Sequence, residues 1–382
     1  MATLVHGHAD SRFEEVVTEL ASNIESGAEL GASIVVDLDG ETLLDVWGGH
    51  ADANREEKWA RDTIVNVWSI TKTVTNLAAL VLVDRGLLDL NVPVATYWPE
   101  FAANGKESVL VKHVMSHTSG VSGWDQPWEP HQIYDRERAT NQLATQAPWW
   151  EPGTASGYHD QSLGHLVGEL IRRVSGKSLT EFVRTELAEP LGADFQIGAR
   201  ESDRGRIAEI IPPPPIEFDI NELAEDDPMR KTFSSTILDA SEANTIDWRR
   251  SELGAANGHG NARSVARILS PISRAGVVDG VRLLSPSTID LIFEEQARNV
   301  DLVLGIPVRW GIGFGLPEPA TLPYIPDDRI AFWGGWGGSM VLTHPGQGLT
   351  ISYVMNKMGD DIIGSDRAGS YITAIYRALG RK

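Results

Sequence analysis

The chain has 382 residues, beyond the usual size of one hydrophobic core, so one large or two interleaved domains are expected. Its 53 acidic and 33 basic residues give a formal charge of −20, which argues against nucleic acid or anionic membrane surfaces as partners and also serves solubility. The absence of cysteine excludes disulfides, thiolate metal sites and a cysteine nucleophile.

Met1 to Asp10 shows no basic stretch leading into an apolar run, and no segment approaches the roughly eighteen apolar residues of a membrane span, so a soluble, cytoplasmic protein is expected. Ser11 and Glu14 form a candidate capping box ahead of an apolar stripe of Phe13, Val16, Val17, Leu20 and Ile24, which predicts an amphipathic helix ending near Gly27. Two β-rich runs, 32–38 and 42–47, flank Asp39-Gly40, and this pair predicts a tight hairpin. A third run, 63–68, leads to Ser69, and Val74, Leu77, Ala78 and Val81 then recur at helical spacing. The serine therefore sits at a strand-to-helix junction.

Helical periods dominate from Leu77 to about Gln296, with a short helix over 109–116 running into His117-Thr118-Ser119-Gly120. Trp124, Trp128, Trp149 and Trp150 crowd the loop that follows, and serve either as core or as an apolar wall for a ligand. Glu151-Pro152-Gly153 breaks the chain, and Tyr158-His159-Asp160 precedes a helix carrying Leu163, Leu166, Val167 and Leu170. From Ile210 the pattern weakens through a proline run and an acidic stretch, so 203–257 reads as an insertion or lid. Helical spacing returns over 261–269. Strand signals then follow at 308–314, 330–333, 339–343 and 349–355, and Tyr371, Ile372, Ile375 and Leu379 close the chain as a helix. Strands at both ends predict an α+β fold: one antiparallel sheet from 1–68 and 279–382, covered by the terminal helices, with a mostly helical domain, 69–278, inserted.

Chemistry enters at Ser69-Ile70-Thr71-Lys72. Three-residue spacing at a helix start stacks Lys72 over Ser69, where a lysine kept neutral by burial can take the serine proton. A four-residue pattern of this kind is expected about once by chance in a chain this long, so other motifs must support it. Tyr158 before a helix, and Trp333-Gly334-Gly335-Trp336-Gly337-Gly338 beside a late strand, supply that support. His113 and His117 stand four apart without an accompanying H-E-x-x-H pattern and read as structural. There is no G-x-S-x-G elbow and no P-loop.

In this order the motifs resemble the serine β-lactamase and penicillin-binding-protein superfamily, most nearly the class C β-lactamases and family VIII carboxylesterases. The resemblance spans nearly the whole chain, including Pro190-Leu191-Gly192. It implies a β-lactamase-like fold, Ser69 as acylated nucleophile, and Lys72 and Tyr158 sharing the acid/base work. The backbone N–H groups of Ser69 and Trp336 would form the oxyanion hole. Trp333, Gly334 and Gly335 occupy the place of the family's lysine, threonine and glycine, and an indole cannot pair with a substrate carboxylate. Asp160 stands where β-lactamases usually carry asparagine, and would lose the amide donor while holding Lys72 or another cation. With Trp124 and Trp128 as apolar wall, the implied activity is hydrolysis of neutral carboxylic esters of short to medium acyl chains, with no cofactor and no metal. Acyl transfer from the same acyl-enzyme, or turnover of β-lactams or peptides, are the alternatives.

Overall fold

The computed structural model describes residues 4–215, 219–236 and 239–380. Positions 216–218 and 237–238 of the expected insertion, and the first three residues, lie outside the described residues. Nine strands form the principal sheet: β1 (Val5–Ala9), β2 (Gly31–Leu38), β3 (Glu41–Gly49), β4 (Ala297–Val300), β5 (Pro307–Trp310), β6 (Gly315–Leu316), β7 (Ala331–Gly334), β8 (Met340–His344) and β9 (Leu349–Met355). Their order is β1-β3-β2-β9-β8-β7-β6-β5-β4, antiparallel throughout, so the first and last parts of the chain meet where β2 pairs with β9. This is the sheet expected from the two ends of the sequence.

Six helices carry most of the remaining argument: α1 (Glu14–Ser26), α2 (Ile70–Asp84), α3 (Ser162–Ser175), α4 (Pro228–Ser235), α5 (Ala262–Ser273) and α6 (Asp366–Ala378). Side-chain alternation along β9 sets which of them covers which face. Tyr353 meets Tyr371 of α6 with ring centroids 5.1 Å apart, whereas Thr350 bonds Ser273 of α5 at 2.7 Å. The sheet is thus covered on both sides, and every residue of β9 is buried, its Thr350 and Ser352 included. On the α5 side, α2 lies against α3, α5 and β7, so the helix that begins at Ser69 is anchored to both halves of the molecule. All thirteen residues from Ile70 to Leu82 are buried.

The structure corrects several sequence expectations. The cap before α1 is Asp10, whose carboxylate accepts the Arg12 N–H at 3.0 Å, rather than a Ser11–Glu14 box. Strands β1 and β4 escaped the reading because they are edge strands with largely exposed side chains and no apolar signal. Of the run 308–314 only 308–310 is strand, in β5; the chain then turns, where a Cβ on Gly311 would lie 2.0 Å from the Ile292 carbonyl oxygen and Gly313 has φ +80°, and re-enters the sheet as β6. The run 63–68 contributes only Val65–Asn66, which pairs with Gly258–Gly260 in a separate small sheet. Helix α5 docks on the principal sheet although 69–278 was expected to be the helical insertion; periodicity identifies a helix but not its docking partner. Asp39 and Gly40, at φ +52° and +86°, make the expected hairpin turn. No described helix is long and apolar enough to cross a membrane.

A buried ion pair closes the sheet's outer layer. Glu29, just before β2, is fully enclosed and accepts from Arg367 Nη1 at 2.6 Å and from the hydroxyls of Tyr353 and Tyr371. The same guanidinium donates to the carbonyls of Ala28, Lys357 and Gly337, tying α6 to the glycine turn after β7. Removing one partner strands a buried charge. Arg367→Ala is therefore expected to lower unfolding free energy by about 3–5 kcal/mol, as read from a urea transition.

Candidate active site

Ser69 opens α2 immediately after Trp68, a non-glycine residue held at φ +49°. Such a left-handed residue is strained and persists only where its surroundings fix it. Here Trp68 is buried between Trp248 and Trp336, with ring centroids at 5.4 and 5.2 Å. From the first turn of α2, Lys72 Nζ reaches back to Ser69 Oγ at 2.9 Å, as the three-residue spacing requires. Its second acceptor is the Ala255 carbonyl at 3.0 Å. On the other side of the serine, Tyr158 OH donates to Oγ at 2.8 Å. The three expected catalytic side chains thus converge on one oxygen.

Burial decides the electrostatics. Lys72 is held down to about 8, mainly because enclosure disfavours the ammonium, with Asp160 opposing weakly. The Tyr158 phenol is pushed upward, first by burial and then by the negative charge of Asp160. The phenol is accordingly kept protonated, while the amine becomes predominantly neutral only above about pH 8. Ser69 and Trp336 both line the cavity, and no protein acceptor takes either backbone N–H among the described residues, as an oxyanion hole needs.

Tyr158 is fixed by a residue that carries no sequence motif. The fully buried Asp301 carboxylate accepts the Tyr158 N–H at 2.8 Å, the Ser156 hydroxyl at 2.8 Å and Trp310 Nε1 at 3.2 Å. It also accepts the N–H groups of Val303 and Leu304, both at 3.0 Å. Trp310 then stacks parallel to Tyr158 and packs on Trp333. His117 Nδ1 accepts the His159 N–H at 2.9 Å, while His159 bridges Ser119 and the Gly157 carbonyl; both imidazoles are kept neutral by burial. These rings, like His113 accepting the Leu110 N–H, hold backbone in place.

A cavity of about 620 Å³ opens over Ser69. Its described lining includes Trp68, Tyr158, Asp160 and Trp336, together with Ile220, Met229 and Phe233 from the expected insertion. The described residues of that insertion form a wall, with α4 as the longest helix among them. Trp124 and Trp128 do not line the cavity. They stack on one another at 5.2 Å in the core, with Trp124 Nε1 on the Ala139 carbonyl, so the apolar wall comes from other residues. Trp333 is also buried behind the site, where its Nε1 donates to Tyr158 OH at 3.3 Å. Gly334 and Gly335 likewise stand outside the lining. A Cβ on Gly335 would lie 2.5 Å from the Val67 carbonyl oxygen, so this glycine admits the backbone leading to the nucleophile rather than a ligand.

The family model for Beta-lactamase matches residues 13–369. The esterase/β-lactamase LipL of Mycobacterium tuberculosis (strain ATCC 25618 / H37Rv) is 33% identical over 389 residues, covering 98% of this chain and 88% of LipL. Among solved structures, a family VIII carboxylesterase is 36% identical with a TM-score of 0.92, covering 98% of this chain and all of that one. A penicillin-binding-protein homologue from Caulobacter crescentus is 34% identical with a TM-score of 0.90 and the same coverage.

Asp301 offers a direct check on how the tyrosine is held. Asp301→Ala leaves several buried donors unpaired and is expected to destabilise the fold by about 3 kcal/mol or more. Asp301→Asn keeps the shape but presents an amide donor to groups that are themselves donors, so kcat is expected to fall at least tenfold with a smaller change in KM.

Proposed function

The chain belongs to the β-lactamase family, and on that premise we propose that it is a serine hydrolase of neutral carboxylic esters with short to medium acyl chains. The observation that carries this reading is the convergence of Lys72 Nζ and Tyr158 OH on Ser69 Oγ beneath an apolar cavity. In the proposed reaction neutral Lys72 removes the Ser69 proton as Oγ attacks the ester carbonyl. The oxyanion gains two backbone N–H donors, each worth about 3 kcal/mol in the transition state. Tyr158 OH, protonated because it is buried, supplies its proton to the departing alkoxide and recovers one from the Lys72 ammonium. Water attacks the acyl-enzyme with the same pair in reverse roles, releasing the acid and free serine.

Neutral esters are favoured over β-lactams because Trp333 supplies no positive charge, and none of the described cavity residues is cationic. The names of LipL and of the family VIII carboxylesterase agree with an esterase reading. The apolar insertion wall also favours a second outcome, in which an alcohol rather than water takes the acyl group.

The Lys72 value sets the pH dependence. A base lowered to about 8 is roughly one-tenth neutral at pH 7. With p-nitrophenyl butyrate, kcat/KM is therefore expected to rise with an apparent pKa near 8 and to fall tenfold per unit well below it. Ser69→Ala is expected to reduce turnover by about 10⁴-fold or more. Retention of most activity would refute the assignment. Added short-chain alcohol measures partition of the acyl group, with ester product marking transfer and free acid marking hydrolysis.

A further inference from the structure

One charged side chain stands in the described lining of the cavity over Ser69. It is Asp160, and its partly exposed carboxylate has a single hydrogen-bond donor, Gln161 Nε2 at 3.3 Å. No arginine, lysine or histidine forms an ion pair with it among the described residues. Lys72 directs its amine to Ser69 and to the Ala255 carbonyl instead. Four aromatic side chains, Trp68, Tyr158, Phe233 and Trp336, share the lining with this carboxylate, and the Trp68 and Trp336 rings lie 5.2 Å apart at 65°.

This combination has a specific chemistry. Aromatic faces attract organic cations through their quadrupole, most strongly when the cation is weakly hydrated. An unpaired carboxylate among low-dielectric walls adds a charge attraction that exceeds its value in water. The reactive form of the site strengthens the case, because once Lys72 is neutral nothing in the described lining balances the Asp160 charge. A substrate carboxylate would be repelled there, and a purely apolar ester would leave the charge uncompensated.

We propose that Asp160 and the surrounding aromatic rings form a subsite for an ammonium group, so that beside neutral esters this site takes, and binds more tightly, esters carrying a quaternary or tertiary amine in the acyl or the alcohol part. The proposal rests on the esterase reading for its chemistry, but the subsite can be tested without turnover. The competing account makes Asp160 only a distant counter-charge for Lys72. That role would alter the pH profile when the carboxylate is removed while leaving selectivity for cations unchanged.

The test is calorimetric binding to the Ser69→Ala protein of two matched pairs. One pair is butyrylcholine and its neutral isostere 3,3-dimethylbutyl butyrate. The other is ethyl 4-(trimethylammonio)butyrate and ethyl 5,5-dimethylhexanoate. In at least one pair the cation is expected to bind about tenfold more tightly than the isostere. That preference should vanish when Asp160→Asn is added and persist with Asp160→Glu, which retains the charge. Equal binding within both pairs would overturn the proposal. So would a preference that survives Asp160→Asn, since the net charge of −20 would then account for it. Hydrolysis of the neutral isosteres by the unmodified enzyme reports separately on the esterase reading, so failure of one claim is distinguishable from failure of the other.

Discussion

The short contact between the buried Lys72 amine and Ser69 Oγ is the constraint on which the rest of the structure depends. An ammonium is normally a poor base, and a serine hydroxyl a poor nucleophile. Both deficiencies are relieved by one device, the enclosure of the amine at the start of α2, where desolvation brings its pKa to about 8. The enclosure is built from remote parts of the chain. The Ala255 carbonyl comes from the end of the insertion, Tyr158 precedes α3, and the glycine turn follows β7. Packing of α2 against α3, α5 and β7 is what brings these pieces together around Ser69.

Around that contact the molecule behaves as a set of clamps. Asp301 gathers five donors to fix Tyr158, the Trp310 indole and the 303–304 turn. Arg367 holds the carbonyl of Gly337, one residue beyond the proposed oxyanion donor Trp336, while pairing with Glu29. Gly335 lets β7 approach the Val67 carbonyl, which keeps the oxyanion turn close to the nucleophile. These groups act through geometry, since none of them needs to touch the substrate. Preorganisation of this kind is what makes hydrogen-bond donors effective in a transition state.

Much of this was legible in the residues, and the reasons for the exceptions are physical. Ser69, Lys72 and Tyr158 were readable because local spacing and helix starts constrain them, and the hairpin at Asp39-Gly40 because its backbone needs positive φ. The central strands announced themselves through apolar runs. Edge strands β1 and β4 did not, since an exposed strand carries no such pattern. Asp301 could not be found from sequence, because its partners Ser156 and Tyr158 lie more than 140 positions away. Trp124 and Trp128 were ambiguous for the opposite reason: a tryptophan cluster has the same composition whether it fills a core or lines a cavity, and here it fills the core. The insertion is weak in pattern, yet its described residues form short helices capped by Asp219 and Asp227, which need little apolar periodicity, and supply Ile220, Met229 and Phe233 to the cavity.

The central claim is that an acyl group passes through Ser69. Its most direct measurement is intact mass after rapid mixing with p-nitrophenyl butyrate, followed by peptide mapping. The account requires a butyryl adduct on the peptide containing Ser69, appearing with nitrophenol release and decaying at the rate of turnover. Steady nitrophenol release with no adduct at Ser69, or an adduct on another residue that forms and decays at the turnover rate, would contradict it.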